Sequence, residues 1–200
     1  MEIATWGLQA VGLFLATNID DIIVLSLFYA RGAGRRGTTA AILAGQYLGF
    51  GAILAAAVLI ALGARSFLPE EAIPYFGLIP LALGLLAAWR AWRDDDDDDD
   101  EGKLSGKSVS ALTVAAVTFA NGGDNIGVYV PVFATVGPAG IVAYCVIFLA
   151  LVAVLVVAAR FVATRKTIAE FLERWEHVLF PLVLIGLGVV ILVEGGAFGL

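Results

Sequence analysis

Cysteine and histidine each occur only once in this sequence. The single cysteine, Cys145, excludes an intramolecular disulfide and a cluster of cysteine ligands, and a lone buried cysteine usually serves as a small apolar filler. The sequence also has no basic patch of the kind that binds nucleic acid and no glycine-rich loop for nucleotide phosphates. We therefore expect no nucleic-acid partner, no nucleotide and no resident cofactor.

Charged residues are scarce as well, at 15% of the 200 residues, whereas 60% are hydrophobic and the mean hydropathy is +0.94. A soluble domain of this size does not need so much apolar surface, so the composition indicates an integral membrane protein. Several apolar segments reach the roughly 20 residues with which a helix crosses a bilayer, and the alternating pattern of a β-barrel is missing. The first segment is too long for a signal-peptide core. It also lacks the basic start of a signal peptide, since Glu2 is the only early charge, so we expect it to remain in the mature protein.

The apolar segments predict an all-α fold with six transmembrane helices, at about residues 3–30, 39–63, 73–92, 109–134, 138–161 and 177–198. Residues 1–93 form the first group of three helices and residues 108–200 the second. Residues 94–107 between them begin with a run of seven aspartates and are predicted to be an acidic cytoplasmic loop. Such a run usually forms a solvated loop, although it could also concentrate cations near the membrane.

The basic residues set the predicted topology. With six spans, eleven of the twelve lysines and arginines fall in the first, third and fifth loops, and Arg65 alone lies on the other side. Because basic loops stay on the cytoplasmic side, both termini are predicted to face outward. The first and fourth spans then cross the membrane in opposite directions.

Two apolar segments contain polar residues at a depth where ionisable groups are costly and usually functional. The first is residues 16–24, with Asp20 and Asp21, and the second is residues 118–131, with Asp124. The glycines and the proline of the second stretch weaken the helix there, which frees backbone carbonyls to act as ligands. We therefore expect the two stretches to face each other and to bind a cation.

The two stretches also align with one another. Asp20-Asp-Ile-Ile-Val24 matches Asp124-Asn-Ile-Gly-Val128, and each lies in the first of three consecutive spans. Two groups of three spans with opposite orientation are the inverted-repeat plan of secondary transporters. The sequence thus predicts two inverted three-helix repeats, and the alignment favours Asp20 over the adjacent Asp21 as the partner of Asp124.

Carboxylate, amide and carbonyl oxygens suit a hard divalent cation such as Mg²⁺, Ca²⁺ or Mn²⁺. An alternative is that these groups only form hydrogen bonds between helices. Three aspartates at membrane depth favour the cation site. The candidate ion ligands are Asp20, Asp124, Asn18, Asn121, Asn125 and Asp21, with Thr17, Gln46 and Tyr129 as additional candidates along the ion path.

Thr17-Asn-Ile-Asp-Asp21 and Ala120-Asn-Gly-Gly-Asp-Asn125 resemble the signature stretches of the cadmium-resistance transporter family, within the lysine-exporter superfamily of six-helix exporters. The resemblance implies efflux of a divalent metal across the plasma membrane of a bacterium, with both motifs around the ion path. Cadmium is soft and prefers thiolate, yet an oxygen site can accept it for its charge and its calcium-like size. Cadmium, magnesium, manganese and calcium all remain open as substrates.

Export of a divalent ion against about 100 mV costs about 4.6 kcal/mol, so it must be coupled to another gradient. We expect proton entry to drive it, with the paired aspartates alternately holding a proton or the metal. A divalent cation channel is an alternative, and an amino-acid exporter is a weaker one because the aspartates repel a substrate carboxylate. An intramembrane aspartyl protease is disfavoured, since Asn121 replaces the first glycine of the protease signature, so we expect no enzyme activity. The glycine-rich spans would allow a homodimer.

Overall fold

The computed structural model describes residues 2–93 and 109–197, and these residues contain helices and no strand. The predicted acidic loop, residues 94–107, lies outside them. The helices are α1 (Glu2–Thr17), α2 (Ile19–Arg31), α3 (Thr38–Phe67), a 3-10 helix (Glu70–Gly77), α4 (Leu78–Arg93), α5 (Ala111–Asn121), α6 (Gly123–Thr135), α7 (Pro138–Val162) and α8 (Lys166–Glu194).

Three stretches in the described part of the chain are long and apolar enough to cross a membrane: Thr38–Phe67, Glu70–Trp89 and Pro138–Val162. A fourth is obtained when α1 and α2 are taken as one bent span. Ala111–Asn121 and Phe180–Glu194 are apolar but shorter than a span requires. The helical membrane fold is thus as predicted, whereas the count of six spans and the inverted repeat stay predictions.

The first predicted span is broken at Asn18, where α1 and α2 meet at an angle of 55°. Asn18 takes the N-cap position of α2, but its side chain does not cap that helix. Its amide nitrogen instead lies 2.8 Å from the carbonyl oxygen of Phe14, in the last turn of α1. The side chain therefore satisfies a carbonyl that the end of a helix leaves without an intrahelical donor, and the chain turns at this point.

The fourth predicted span is broken at Gly122, between α5 and α6. Ser110 caps the start of α5, since its hydroxyl accepts a hydrogen bond from the backbone N–H of Thr113 at 3.1 Å. At the break itself, a Cβ on Gly122 would collide with the side chain of Ile53 on α3, so only glycine allows this close approach. Both breaks fall inside the polar stretches of the sequence.

Helix α3 packs against both α5 and α6, α7 packs against α1 and α2, and α4 pairs with α8. Glycines permit the closest approaches: Gly45 and Gly49 lie against the backbone of α5, and Gly77 lies against that of Gly188 in α8. Between these helices lies a cluster of aromatic side chains in mutual ring contact: Phe14, Phe50, Tyr129, Phe133, Tyr144 and Phe148. This cluster adjoins the first break, because the hydroxyl oxygen of Tyr129 lies 2.8 Å from that of Thr17.

Candidate cation site

The two breaks place the aligned motifs at the same helical positions. Asp20 and Asp21 are the second and third residues of α2, and Asp124 and Asn125 are the second and third residues of α6. The burial of the pairs also agrees, because Asp20 and Asp124 are half-buried whereas Asp21 and Asn125 are buried. At each break the carboxyl end of one helix meets the amino end of the next, so carbonyl oxygens and carboxylates come close together.

Three polar side chains connect the first break to α6. The hydroxyl of Thr17 donates to the carbonyl of Leu13 at 3.0 Å, and its oxygen lies 2.8 Å from the hydroxyl of Tyr129. Because the threonine proton is directed at Leu13, Tyr129 donates to Thr17. The amide nitrogen of Asn18 lies 3.1 Å from the Tyr129 oxygen and 2.9 Å from that of Thr17. All three side chains are buried, so the first break and α6 are joined inside the protein.

A second buried chain of hydrogen bonds connects α2, α3 and α5. Gln46 donates from Nε2 to Oδ2 of Asp21 at 2.8 Å, and Thr118 donates from its hydroxyl to Oε1 of Gln46 at 2.5 Å. The exposed fractions of Asp21, Gln46 and Thr118 are 4%, 0% and 3%. A buried charge is tolerated only when it receives hydrogen bonds or has a charged partner, so this chain helps to keep a carboxylate inside the helix bundle.

The aspartates alone do not form a metal cage. Among the side chains that the structure describes, no three of His, Cys, Asp or Glu lie close enough to hold a metal ion together. Asp124 also uses one oxygen locally, since Oδ1 accepts the backbone N–H of Asn125 at 2.8 Å. An ion at the breaks would therefore need amide, hydroxyl or backbone oxygens in addition to carboxylates.

Three buried amide oxygens at the breaks have no hydrogen-bond partner within the described structure: Oδ1 of Asn18, of Asn121 and of Asn125. Asn18 lies at the first break, and Asn121 and Asn125 lie on either side of the second. A buried oxygen without a donor costs about 1–3 kcal/mol, so each such atom requires an explanation. Three of them, one at the first break and two beside the second, favour a ligand that supplies positive charge.

A cavity of about 740 Å³ lies beside this region, between α1, α6, α7 and α8. Its polar lining residues include Gln9 and Glu194, and its wall includes Leu13 and Val132. Leu13 is one helical turn before Thr17, and Val132 is one turn after Tyr129. The cavity therefore ends about one turn away from the hydrogen bonds that join the first break to α6.

The structure places five of the nine candidate residues in two groups, each of which is held together by hydrogen bonds. Thr17, Asn18 and Tyr129 form one group, and Asp21 with Gln46 forms the other. Sequence reasoning missed Thr118 as a site residue, although it opens the second polar stretch. Its contact with Gln46 depends on how closely α3 approaches α5, and the only signal was the pair of glycines around Gln46.

Comparison with known proteins identifies the family. A family model described as cadmium resistance transporter matches residues 14–200, which is nearly the whole chain. No curated protein and no solved structure matches the chain. The match includes both polar stretches, and the chain therefore belongs to the cadmium resistance transporter family. It is a membrane transport protein of the metal-efflux class, as the resemblance of its two motifs implied.

Proposed function

We propose that this member of the cadmium resistance transporter family exports a divalent metal ion through a site built from its two helix breaks. The proposal rests on one observation above all, the three buried amide oxygens of Asn18, Asn121 and Asn125 that have no hydrogen-bond donor among the described residues. Asn18 lies at the first break, which the hydrogen bond between Thr17 and Tyr129 joins to α6, the helix that follows the second break. Because these oxygens come from both motifs and have no donor among the described residues, they favour binding of a transient cation over a role in helix packing alone.

The charge of the site favours a divalent ion. Asp20, Asp21 and Asp124 all lie in the first turns of the helices that follow the breaks. One or two carboxylates with several neutral oxygens match the ligand sets of Mg²⁺, Ca²⁺ and Mn²⁺, and the size and charge of Cd²⁺ are close to those of Ca²⁺. A site of this kind would bind the metal without a resident cofactor, since the metal itself is the substrate.

Release of the ion would use the neighbouring cavity. The cavity is lined by the middle of α1, residues 6–13, and by the carboxyl-terminal ends of α6 and α8. In the predicted topology these ends face outward, and Glu194 at the rim would attract the departing cation. Export would then require the contact between Thr17 and Tyr129 to open, because both side chains are buried between the breaks and the cavity.

Proton entry is the proposed energy source. Expelling a divalent ion against about 100 mV costs about 4.6 kcal/mol before any concentration gradient is added. The aspartates at the breaks would accept protons when the metal has left, because burial disfavours an uncompensated charge. The protein would thus be an antiporter in the bacterial plasma membrane, with the two groups of three helices acting as inverted repeats.

The test is metal flux in proteoliposomes that contain the wild-type protein, Asp20→Asn or Asp124→Asn. Cd²⁺, Mg²⁺, Mn²⁺ and Ca²⁺ would be measured separately, with and without an imposed proton gradient. We expect at least one metal to move in a saturable manner, and both variants to fall to the background of empty vesicles. Glu70→Gln is the matched control, because it makes the same acid-to-amide change at an exposed residue far from the breaks along the chain.

The outcomes separate the parts of the proposal. Normal flux in both folded variants would show that the motifs only pack the helices. Saturable flux that ignores the proton gradient would remove the coupling and leave the site. Flux that does not saturate would favour a channel.

A further inference from the structure

Gln46 and Thr118 form a chain of hydrogen bonds that ends on a carboxylate of the first break. We propose that these two residues position Asp21 for the metal and so set the affinity of the transporter for its substrate. This inference rests on the proposed function. Gln46 and Thr118 would position the Asp21 carboxylate and need not contact the ion themselves. The buried Asp21 is then the carboxylate of the first motif that hydrogen bonds hold in place.

The orientation of the Gln46 amide is fixed by its two partners. An ionised carboxylate can only accept hydrogen bonds, so the NH₂ group of Gln46 must face Asp21. Its oxygen then faces Thr118, which can donate. If the amide turned over, its oxygen would lie against the carboxylate and its nitrogen would displace the threonine proton. Thr118 therefore holds Gln46 in the one orientation that supports a charged Asp21.

The position of Thr118 is fixed in turn by the packing of α3 on α5. A Cβ on Gly45 would lie 2.5 Å from the carbonyl oxygen of Ala111, and one on Gly49 would lie 2.7 Å from that of Ala115. The two glycines are one turn apart and flank Gln46. The backbones of α3 and α5 therefore approach each other closely beside Gln46, which brings Thr118 within hydrogen-bond distance of it. The Cβ of Thr118 itself packs against Gly49. Such a close contact between helices leaves the hydroxyl little freedom.

Hydrogen-bond partners of ligating groups usually have a large effect on metal affinity, and their loss typically costs about 10- to 100-fold. The reason is geometric, because an unsupported carboxylate can rotate away from the ion. At this site the support comes from a neutral amide, which fixes the carboxylate without adding a positive charge that would compete with the metal. We therefore expect loss of the support to weaken metal binding and to leave the fold intact.

The experiment compares Thr118→Val, Thr118→Ser and Gln46→Leu in proteoliposome flux, with the KM for Cd²⁺ and the maximal rate measured for each. Valine keeps the methyl group that packs on Gly49 and removes the hydroxyl, whereas serine does the opposite. We expect the KM to rise about tenfold or more in Thr118→Val and Gln46→Leu. Thr118→Ser should restore a KM near that of the wild type. Thr113→Val is the control, because the hydroxyl of Thr113 bonds to Ser110 at the start of the same helix.

A purely structural role predicts a different pattern. It would lower the amount of folded protein and the maximal rate, and the KM would not change. Unchanged KM values in Thr118→Val and Gln46→Leu would overturn the inference, as would equal rises in Thr118→Val and Thr118→Ser. Should one variant fail to fold, the other tests the same chain of hydrogen bonds from its opposite end. If the wild type moved none of the four metals, the proposed function would fail first, and this inference with it.

Discussion

The two helix breaks resemble each other in position and differ in how they are made. At the first break a side chain stabilises the turn, because the Asn18 amide nitrogen lies 2.8–3.1 Å from three acceptors. At the second break the central residues are Gly122 and Gly123, which have no side chain, and Gly122 packs directly on Ile53. The aspartate that follows each break is nevertheless half-buried, and the next residue is buried.

This difference shows that one geometry can be reached by two physical routes. The first route uses hydrogen bonds from an amide, so it depends on the chemistry of one side chain. The second uses close packing of backbone on a neighbouring helix, so it depends on the absence of a side chain. The first break should therefore be sensitive to a change of polarity, and the second to a change of size.

The largest effect is expected for Asn18→Asp. The substitution replaces a donor by an acceptor that faces the carbonyl of Phe14 and the oxygens of Thr17 and Tyr129, at a residue that is 1% exposed. Loss of these contacts and burial of a new charge should cost about 3 kcal/mol or more in folding free energy. We expect a lower thermal unfolding temperature in detergent and no metal flux.

The control for this variant is Gln9→Glu on α1, the helix that ends just before Asn18. The Gln9 oxygen accepts a hydrogen bond from Tyr144 at 3.1 Å, and the side chain is exposed. A carboxylate can accept the same bond, so the change should be tolerated. If Asn18→Asp were as stable as Gln9→Glu, the first break would not depend on its amide donor.

The positions of several helices could be predicted from the sequence. The apolar segments predicted at 39–63 and 138–161 correspond to Thr38–Phe67 and Pro138–Val162, because hydrophobic runs end where polar residues or glycines begin. The break at Gly122 agrees with the expectation that glycines weaken the helix there. The candidate ligands could be named because ionisable groups are rare at this depth, although their roles as ligands stay predictions.

Other features depend on tertiary contacts and could not be predicted. The first span was expected to be continuous, and the break at Asn18 depends on an amide that bonds back to Phe14 and across to Tyr129. The last span is predicted to begin near residue 177, and α8 already begins at Lys166, so one helix contains both the polar stretch before residue 177 and the apolar span. When a polar helical segment continues directly into an apolar one, the helical periodicity does not change between them. The apolar segment alone therefore does not show where the helix begins.

A smaller effect is expected for Gly122→Ala at the second break. The added methyl group would collide with the side chain of Ile53, which is fully buried and has little room to move. Overpacking of this kind usually costs about 1–3 kcal/mol. Thermal unfolding should show the loss, and the flux should fall because the break between α5 and α6 must shift away from α3.

Two further variants make this prediction specific. Gly123→Ala should be neutral, since a Cβ there would meet nothing within 4 Å. Combining Gly122→Ala with Ile53→Val should recover part of the lost stability, because valine lacks the outermost methyl group of isoleucine. Equal losses in Gly122→Ala and Gly123→Ala would show that backbone flexibility, and not close packing, makes the second break.

The smallest effect is expected for Tyr129→Phe, which removes only the hydroxyl that joins the first break to α6. The ring would keep its contacts, including the one to Phe148 at a centroid distance of 4.8 Å, so the cost should be about 1 kcal/mol in folding free energy. A similar loss at the site would raise the KM for Cd²⁺ about fivefold. Tyr47→Phe removes a hydroxyl that donates to the carbonyl of Leu149 at 2.9 Å, so it should cost similar stability and leave the KM unchanged. If both variants raised the KM equally, the link between Tyr129 and Thr17 would have no special part in transport, and each break would have to bind the metal by itself.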